Sequence, residues 1–221
     1  MGVNLEDCIR IQEKLSKRVI LEDRIPDKIE TVGGVDQAFL QDNRIISCIT
    51  ILDYPEMNLI EKKIAIKRVN FPYIPGFLAF REFPAILEAC RKLTKYPDIL
   101  IIDGHGIAHP RRIGIATHAG ILLNRVTIGV AKKKLVGEFS YPEEVGQYKP
   151  LIYGNSTIGF VMKSREYCNP IFISPGHKIS LETGLEIVKN CIRGHKLPEP
   201  VWQAHRLVNE FRRKVIILSS Q

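Results

Sequence analysis

Apolar positions recur every three to four residues over 4–19, where Leu5, Cys8, Ile9, Leu15 and Val19 share one face, and this predicts an opening amphipathic helix. The period then shortens. Residues 30–39, RIISCITIL at 44–52 and the alternating KKIAIKRV at 62–69 read as three strands, with DNR at 42–44 as a tight turn between the first two. After the proline-stiffened PYIPG stretch, Pro84 suits the first turn of a helix running to about residue 95, with Phe83, Leu87, Cys90 and Leu93 inward. DILIID (98–103) is a continuous apolar run ending in aspartate, the pattern of a strand covered on both faces. A short helix over 114–124 and strands at 126–132, 156–163 and 170–176 follow. Ser180 is a fair N-cap for a helix with Leu181, Leu185, Val188 and Ile192 on one face. Pro200 opens a last helix with Val201, Ala204, Val208 and Phe211 inward.

This order predicts one α/β domain over residues 1–221, with a mixed central sheet flanked by helices. A five-strand core with its first and fourth strands adjacent would set Asp36 beside Asp103. Composition narrows the class. With 45% hydrophobic residues in 221, the chain can bury a real core. Its five cysteines are scattered without a CxxC pair, which argues against a disulfide frame or a cysteine zinc site and for a reducing compartment. No apolar run reaches membrane-spanning length, and the N-terminus lacks an uninterrupted signal-peptide core, so a soluble, cytoplasmic protein without a membrane partner is expected. The net charge of +8 favours polyanion partners.

Candidate chemistry lies in three carboxylates from separate segments: Asp36 in TVGGVDQAF, Glu82 in PYIPGFLAFREFP and Asp103 in DILIIDGHGIAHP. A carboxylate at the end of an apolar strand is partly desolvated and persists only if something positive meets it. Three such groups suggest a shared divalent cation, since hard cations take oxygen ligands. Each also has a plainer reading: Asp36 as a turn-edge aspartate, Glu82 as a solvated first-turn carboxylate. Lys132, first after an apolar strand, can point to the strand-end site and offset phosphate charge, while Lys133 and Lys134 read as a solvent face. His205 falls on the apolar face of the last helix, either as a core histidine or as an inward group near metal-bound water. His105 and His109 are four apart, but Pro110 and the glycines argue against a helical zinc pair. Arg111 and Arg112 are phosphate contacts or a solvated turn, and Tyr73 is a stacking wedge or a packed ring.

The blocks VGGVDQAF, PYIPGFLAFRE, DGHGIAHPRRIGIATHAG, GVAKKKL, ISPGHKIS and PEPVWQAH, in this order, resemble endonuclease V, the deoxyinosine-specific repair nuclease, over about residues 5–213. The resemblance implies a ribonuclease H-like fold and hydrolysis, dependent on Mg²⁺ or Mn²⁺, of the second phosphodiester bond 3′ to hypoxanthine, leaving 3′-hydroxyl and 5′-phosphate ends. It implies a metal site of Asp36, Glu82 and Asp103 with His205, and Lys132 as catalytic lysine. It makes Tyr73 the wedge, flanked by Pro72, Ile74, Pro75 and Arg81 on the DNA. A lesion pocket would use the backbone of Gly76, Leu78, Gly104, Gly114 and Ile115, with His109 and Leu135 nearby. The expected partner is deoxyinosine-containing DNA, or inosine-containing RNA, met by a monomer. A related nuclease acting on inosine RNA or branched DNA, and a modified-base binder that does not cut, are the alternatives.

Overall fold

The computed structural model describes residues 4–218. Helix α1 (Leu5–Ser16) precedes three antiparallel strands, β1 (Thr31–Phe39), β2 (Arg44–Asp53) and β3 (Leu59–Arg68). Then come α2 (Leu78–Cys90), β4 (Ile99–Asp103), α3 (Ile115–Leu123) and β5 (Thr127–Ala131). A second antiparallel set, β6 (Tyr148–Tyr153), β7 (Ser156–Met162) and β8 (Ile171–His177), leads to α4 (Leu181–Asn190) and α5 (Glu199–Leu218). All eight strands form one sheet in the order β3-β2-β1-β4-β5-β8-β7-β6, with β1, β4 and β5 parallel and the remaining pairings antiparallel.

The first and fourth strands are neighbours, as the sequence predicts, and they pair in register from Val32 with Ile99 to Val35 with Ile102. One step further along both strands stand Asp36 and Asp103. The expected five-strand core is present but is extended by three more strands, because β8 returns antiparallel beside β5 and carries β7 and β6 with it. The sequence reading contains no counterpart of β6: its burial pattern is mostly exposed, so no apolar run marks it. Strands β4 and β5 are almost wholly buried, since helices cover both faces. On one face α2 and α3 pack Phe83, Ile86, Ile115 and Ala119 against Val35, Leu100 and Ile102. On the other, α4 and α5 bring Leu185, Val188 and Val201 onto Val32, Ile101 and Ile128.

Two local features depart from expectation. Helix α2 starts at Leu78, so Pro84 lies inside it and not in the first turn, and it ends at Cys90. The early start comes from the PYIPG turn: Ile74 C=O accepts from Phe77 N–H at 3.0 Å, with Gly76 at φ +81°. Proline second and glycine third with positive φ is the signature of a type II turn, and it feeds the chain directly into the helix. Helix α1 ends at Ser16, short of Val19. All five cysteines are free thiols, and among the described residues no helix is long and apolar enough to cross a membrane.

Helix α5 is seated by close backbone approach. A Cβ on Gly34 of β1 would stand 2.0 Å from the Pro200 carbonyl carbon, so only glycine admits the helix start at that distance. Thr50 Oγ1 donates to Pro200 O at 2.8 Å and fixes the same point from β2. Five residues along the helix and two along the strand each cover about 7 Å. The packing at Gly34 therefore carries His205 over Asp36.

Candidate active site

An open cleft of about 560 Å³ lies beyond the ends of β1, β4 and β5, and Asp36, Glu82, Asp103, Lys132 and His205 all line it. Ligand sites of α/β sheets gather there because strand ends release the chain into loops. Asp36 is buried and accepts from His205 Nδ1 at 2.6 Å. Asp103 pairs with Lys132 Nζ at 2.5 Å. Glu82 comes from α2 and is 6% exposed, so the solvated first-turn reading does not hold.

The three carboxylates disturb one another. Burial and then the charges of Asp103 and Asp36 push Glu82 up to about 8. Asp103 is also raised, by burial and the Asp36 charge, which together outweigh Lys132. Asp36 goes the other way: burial opposes ionisation, but the His205 hydrogen bond, the Lys132 charge and a hydrogen bond with Asp103 hold it below the usual range. Lys132 is raised, since its two carboxylate neighbours overcome its own burial. An ionised Asp36 can only accept, so the His205 Nδ1 carries the hydrogen of this bond and Nε2 is left facing away from Asp36.

Beside the cleft is a narrower cavity of about 270 Å³ lined by Tyr73, Ile74, Pro75, Gly76, Leu78, His109, Gly114, Ile115 and Leu135. Leu78, His105 and Lys133 line both spaces, so they share a wall. Helices α2 and α3 each start at the cavity, and neither has a side-chain cap. Their leading N–H groups, at Leu78 and Ile115, are thus donors in want of an acceptor. The backbone donors expected at Gly104 and Gly114 are not free: Gly104 N–H bonds Val130 O at 3.0 Å and Gly114 N–H bonds Gly106 O at 2.8 Å. Both are spent on holding the loop after β4 against the sheet. Gly104 lines the cleft, not the cavity.

The loop carrying Tyr73 is clamped at its base. The Gly76 carbonyl receives Gln12 Nε2 at 2.9 Å, His109 Nε2 at 2.9 Å and Arg111 Nη2 at 3.1 Å. Arg111 Nε also donates to Gln12 Oε1 at 2.6 Å, and its guanidinium lies over the Phe77 ring. Arg112 bonds Tyr153 O at 3.2 Å. Both arginines of the pair are engaged within the protein, so neither stands in a merely solvated turn. Arg81 is likewise engaged, donating to Phe71 O at 2.8 Å and covering Phe39. Tyr73 itself is 69% exposed at the loop tip, flanked by exposed Pro72 and Pro75, which removes the packed-ring reading. His205 is half-exposed and bound to Asp36, not a core histidine. Burial holds His105 and His109 down to about 4, so both rings are neutral near pH 7.

Gln12 and His105 had no assigned role from sequence. Gln12 left a legible trace, a polar residue between Cys8 and Leu15 on the buried face of α1. His105 left none, since its place in the shared wall depends on two loops meeting.

Among the described residues, no three His, Cys, Asp or Glu side chains already converge as a finished metal cage. The case for a cation is electrostatic. Three buried carboxylates near one another raise the proton affinity of Glu82 and Asp103, and a bound positive charge would relieve them. An oxygen-rich donor set of this kind suits Mg²⁺ or Mn²⁺.

A strand-end acidic cleft with its lysine and histidine, on this sheet, belongs to the nuclease hydrolases. Within them the chain belongs to the Endonuclease V family, whose family model matches residues 13–206. It is 45% identical over 207 residues to Endonuclease V of Nostoc punctiforme, covering 93% of this chain and 94% of that one. The Bacillus subtilis Endonuclease V structure superposes with a TM-score of 0.91 at 35% identity, covering 100% of this chain and 96% of that one. The Ciona intestinalis enzyme, solved with DNA containing an inosine followed by a ribo-adenosine, has a TM-score of 0.83 at 28% identity, covering 96% and 98%.

Proposed function

We propose that this protein is a single-domain, divalent-cation-dependent endonuclease that reads deoxyinosine in DNA. It would hydrolyse the second phosphodiester bond 3′ to the hypoxanthine and leave 3′-hydroxyl and 5′-phosphate ends, in a reaction belonging to cytoplasmic DNA repair. The observation that carries this reading is the shared wall: a base taken into the cavity keeps its strand within reach of the carboxylate cleft. The Ciona complex supports the choice of ligand.

The cavity discriminates by donor and acceptor. Hypoxanthine carries a 6-oxygen where adenine carries an amine, and the uncapped N-termini of α2 and α3 present N–H groups to it. Adenine would set donor against donor there. Guanine shares the oxygen but adds a 2-amino group, which the clamped Gly76 wall would exclude by space.

In the cleft, Asp36, Asp103 and Glu82 would hold the cation, which when bound supplies Lewis-acid stabilisation and lowers the pKa of bound water. Asp36 orients the His205 ring through Nδ1, leaving Nε2 to take a proton from the attacking water. Lys132 Nζ, released from Asp103, offsets charge on the scissile phosphate. Tyr73 stands clear of the protein surface and fills the gap left by the displaced base.

Matched DNA and RNA oligonucleotides, each with one inosine, test this with and without Mg²⁺, with the nick position mapped. Cutting of the inosine DNA two bonds 3′ of the lesion, dependent on Mg²⁺, is expected. Equal cutting of inosine-free DNA would overturn the substrate assignment, and cutting confined to RNA would move it to the ribonucleic acid. Tyr73→Ala should weaken lesion binding by about tenfold, ~1.4 kcal/mol of stacking, without changing the melting temperature. Unchanged affinity in fluorescence anisotropy would reduce Tyr73 to a surface residue.

A further inference from the structure

The sheet end opposite the cleft holds a second concentration of charge. Asp98 and Val126 precede β4 and β5, and Lys178 follows β8, so these residues meet where the strands that end at Asp103 and Lys132 begin. Five strand residues separate the two ends by roughly 16 Å. A pocket of about 390 Å³ opens here, lined by four cations, Arg24, Lys95, Arg125 and Lys178, and one carboxylate, Asp98, with Tyr96 in its wall.

Basic surface residues are commonly neutralised by neighbours, and these are not. Among the described residues, none of the four has a carboxylate within ion-pair distance. Of the two nearby acids only Asp98 lines the pocket, so the cations outnumber it there, and the hydrogen bonds of both acids come from backbone and hydroxyl donors. Asp98 Oδ2 accepts from Glu30 N–H, Thr31 N–H and Thr31 Oγ1, and Asp23 accepts from Ser180 and Thr183. The unbalanced field is felt next door. His177 is driven down to about 4 by burial and by the charges of Lys178, Arg24 and Arg18. Arg125 is held in place with its guanidinium 4.4 Å from the Tyr96 ring centre, which leaves its edge for a ligand.

We propose that this pocket is a second anion site that takes phosphate, separate from the catalytic cleft. Two sources share that chemistry: the backbone of nucleic acid running past the cleft, and free phosphate or diphosphate. The proposal does not rest on the inosine reading, because inosine-free DNA and inorganic pyrophosphate serve as probes.

The test compares wild type with Arg24→Gln/Lys95→Gln/Arg125→Gln in EDTA, using inosine-free duplexes of about 12 and about 40 base pairs over a salt series, and titrates pyrophosphate by calorimetry. With the long duplex, the slope of log K against log salt should become shallower by about 2–3 in the variant, and with the short duplex it should not change. That result supports the site with nucleic acid as source. Loss of pyrophosphate binding with DNA slopes unchanged supports it with free phosphate as source. Equal slopes and equal pyrophosphate binding overturn it. Lys95→Glu, a single exposed change, repeats the measurement should the triple variant melt early.

Discussion

Asp36→Asn should lower the rate of nicking by about three orders of magnitude, ~4 kcal/mol in activation free energy, while inosine DNA remains bound. The substitution keeps the shape of the side chain and removes its charge. Two proposed roles go with that charge: a negative ligand for the cation, and the anionic acceptor that orients His205 through Nδ1. With a neutral amide, the ring loses the partner that selects its tautomer. Asp103→Asn should fail comparably, because Lys132 then lacks the carboxylate that places it in the cleft. Binding should hold or tighten in both variants, since a negative charge facing a phosphate is removed and the cavity is untouched. Single-turnover nicking and anisotropy separate the two quantities. Nicking at the wild-type rate by either variant would show that these carboxylates take no part in the reaction.

Glu82→Gln should produce an inactive protein that is more stable than its parent at pH 8 in EDTA. Glu82 is held at about 8 by burial and by Asp103 and Asp36, against 4.5 for an ordinary glutamate. The folded protein therefore binds this proton more tightly than the unfolded chain does. The stabilisation it confers is complete below about 4.5 and is lost as pH rises through about 8. At about 1.4 kcal/mol per pH unit the loss is a few kcal/mol. For a chain of this length that lowers the melting temperature by on the order of 5–10 °C. Glutamine has no proton to lose, so the variant should fall less steeply over that range, keeping only the share that the raised Asp103 contributes. Mg²⁺ should raise the wild-type melting temperature at pH 8 by more than that of the variant, which keeps two of the three carboxylates. Parallel melting curves for the two proteins from pH 5 to 8 would show that Glu82 does not carry this strain.

Much of this site was legible in the chain. Asp103 is marked by its place at the end of four apolar residues, and PYIPG by prolines that stiffen the stretch before a helix. Gly34 needed the fold to explain it, because its role is to admit Pro200 from 166 positions away. The expected lesion-pocket residues divide in the fold, with Leu78 and Ile115 keeping free N–H groups and Gly104 and Gly114 not. Glycine-rich loops offer N–H groups in principle, yet Gly104 and Gly114 give theirs to Val130 and Gly106. The donors left over are at helix starts that nothing caps. Arg81 and Arg111 were legible as cations but not as loop braces, because the carbonyls of Phe71 and Gly76 reach them only in the fold.

The sequence by itself determined the periodicity of the strands and helices, the proline-stiffened stretch before α2, the three carboxylates and the family resemblance. These are local properties, set by side-chain spacing and backbone sterics within a few residues. Tertiary structure decided that Asp36 and Asp103 stand side by side, that Glu82 is buried, that His205 meets Asp36, and that the cavity and the cleft share a wall. Those outcomes depend on register between strands and on how closely backbones approach. Burial then sets the charge state of every carboxylate from neighbours that are remote in the chain.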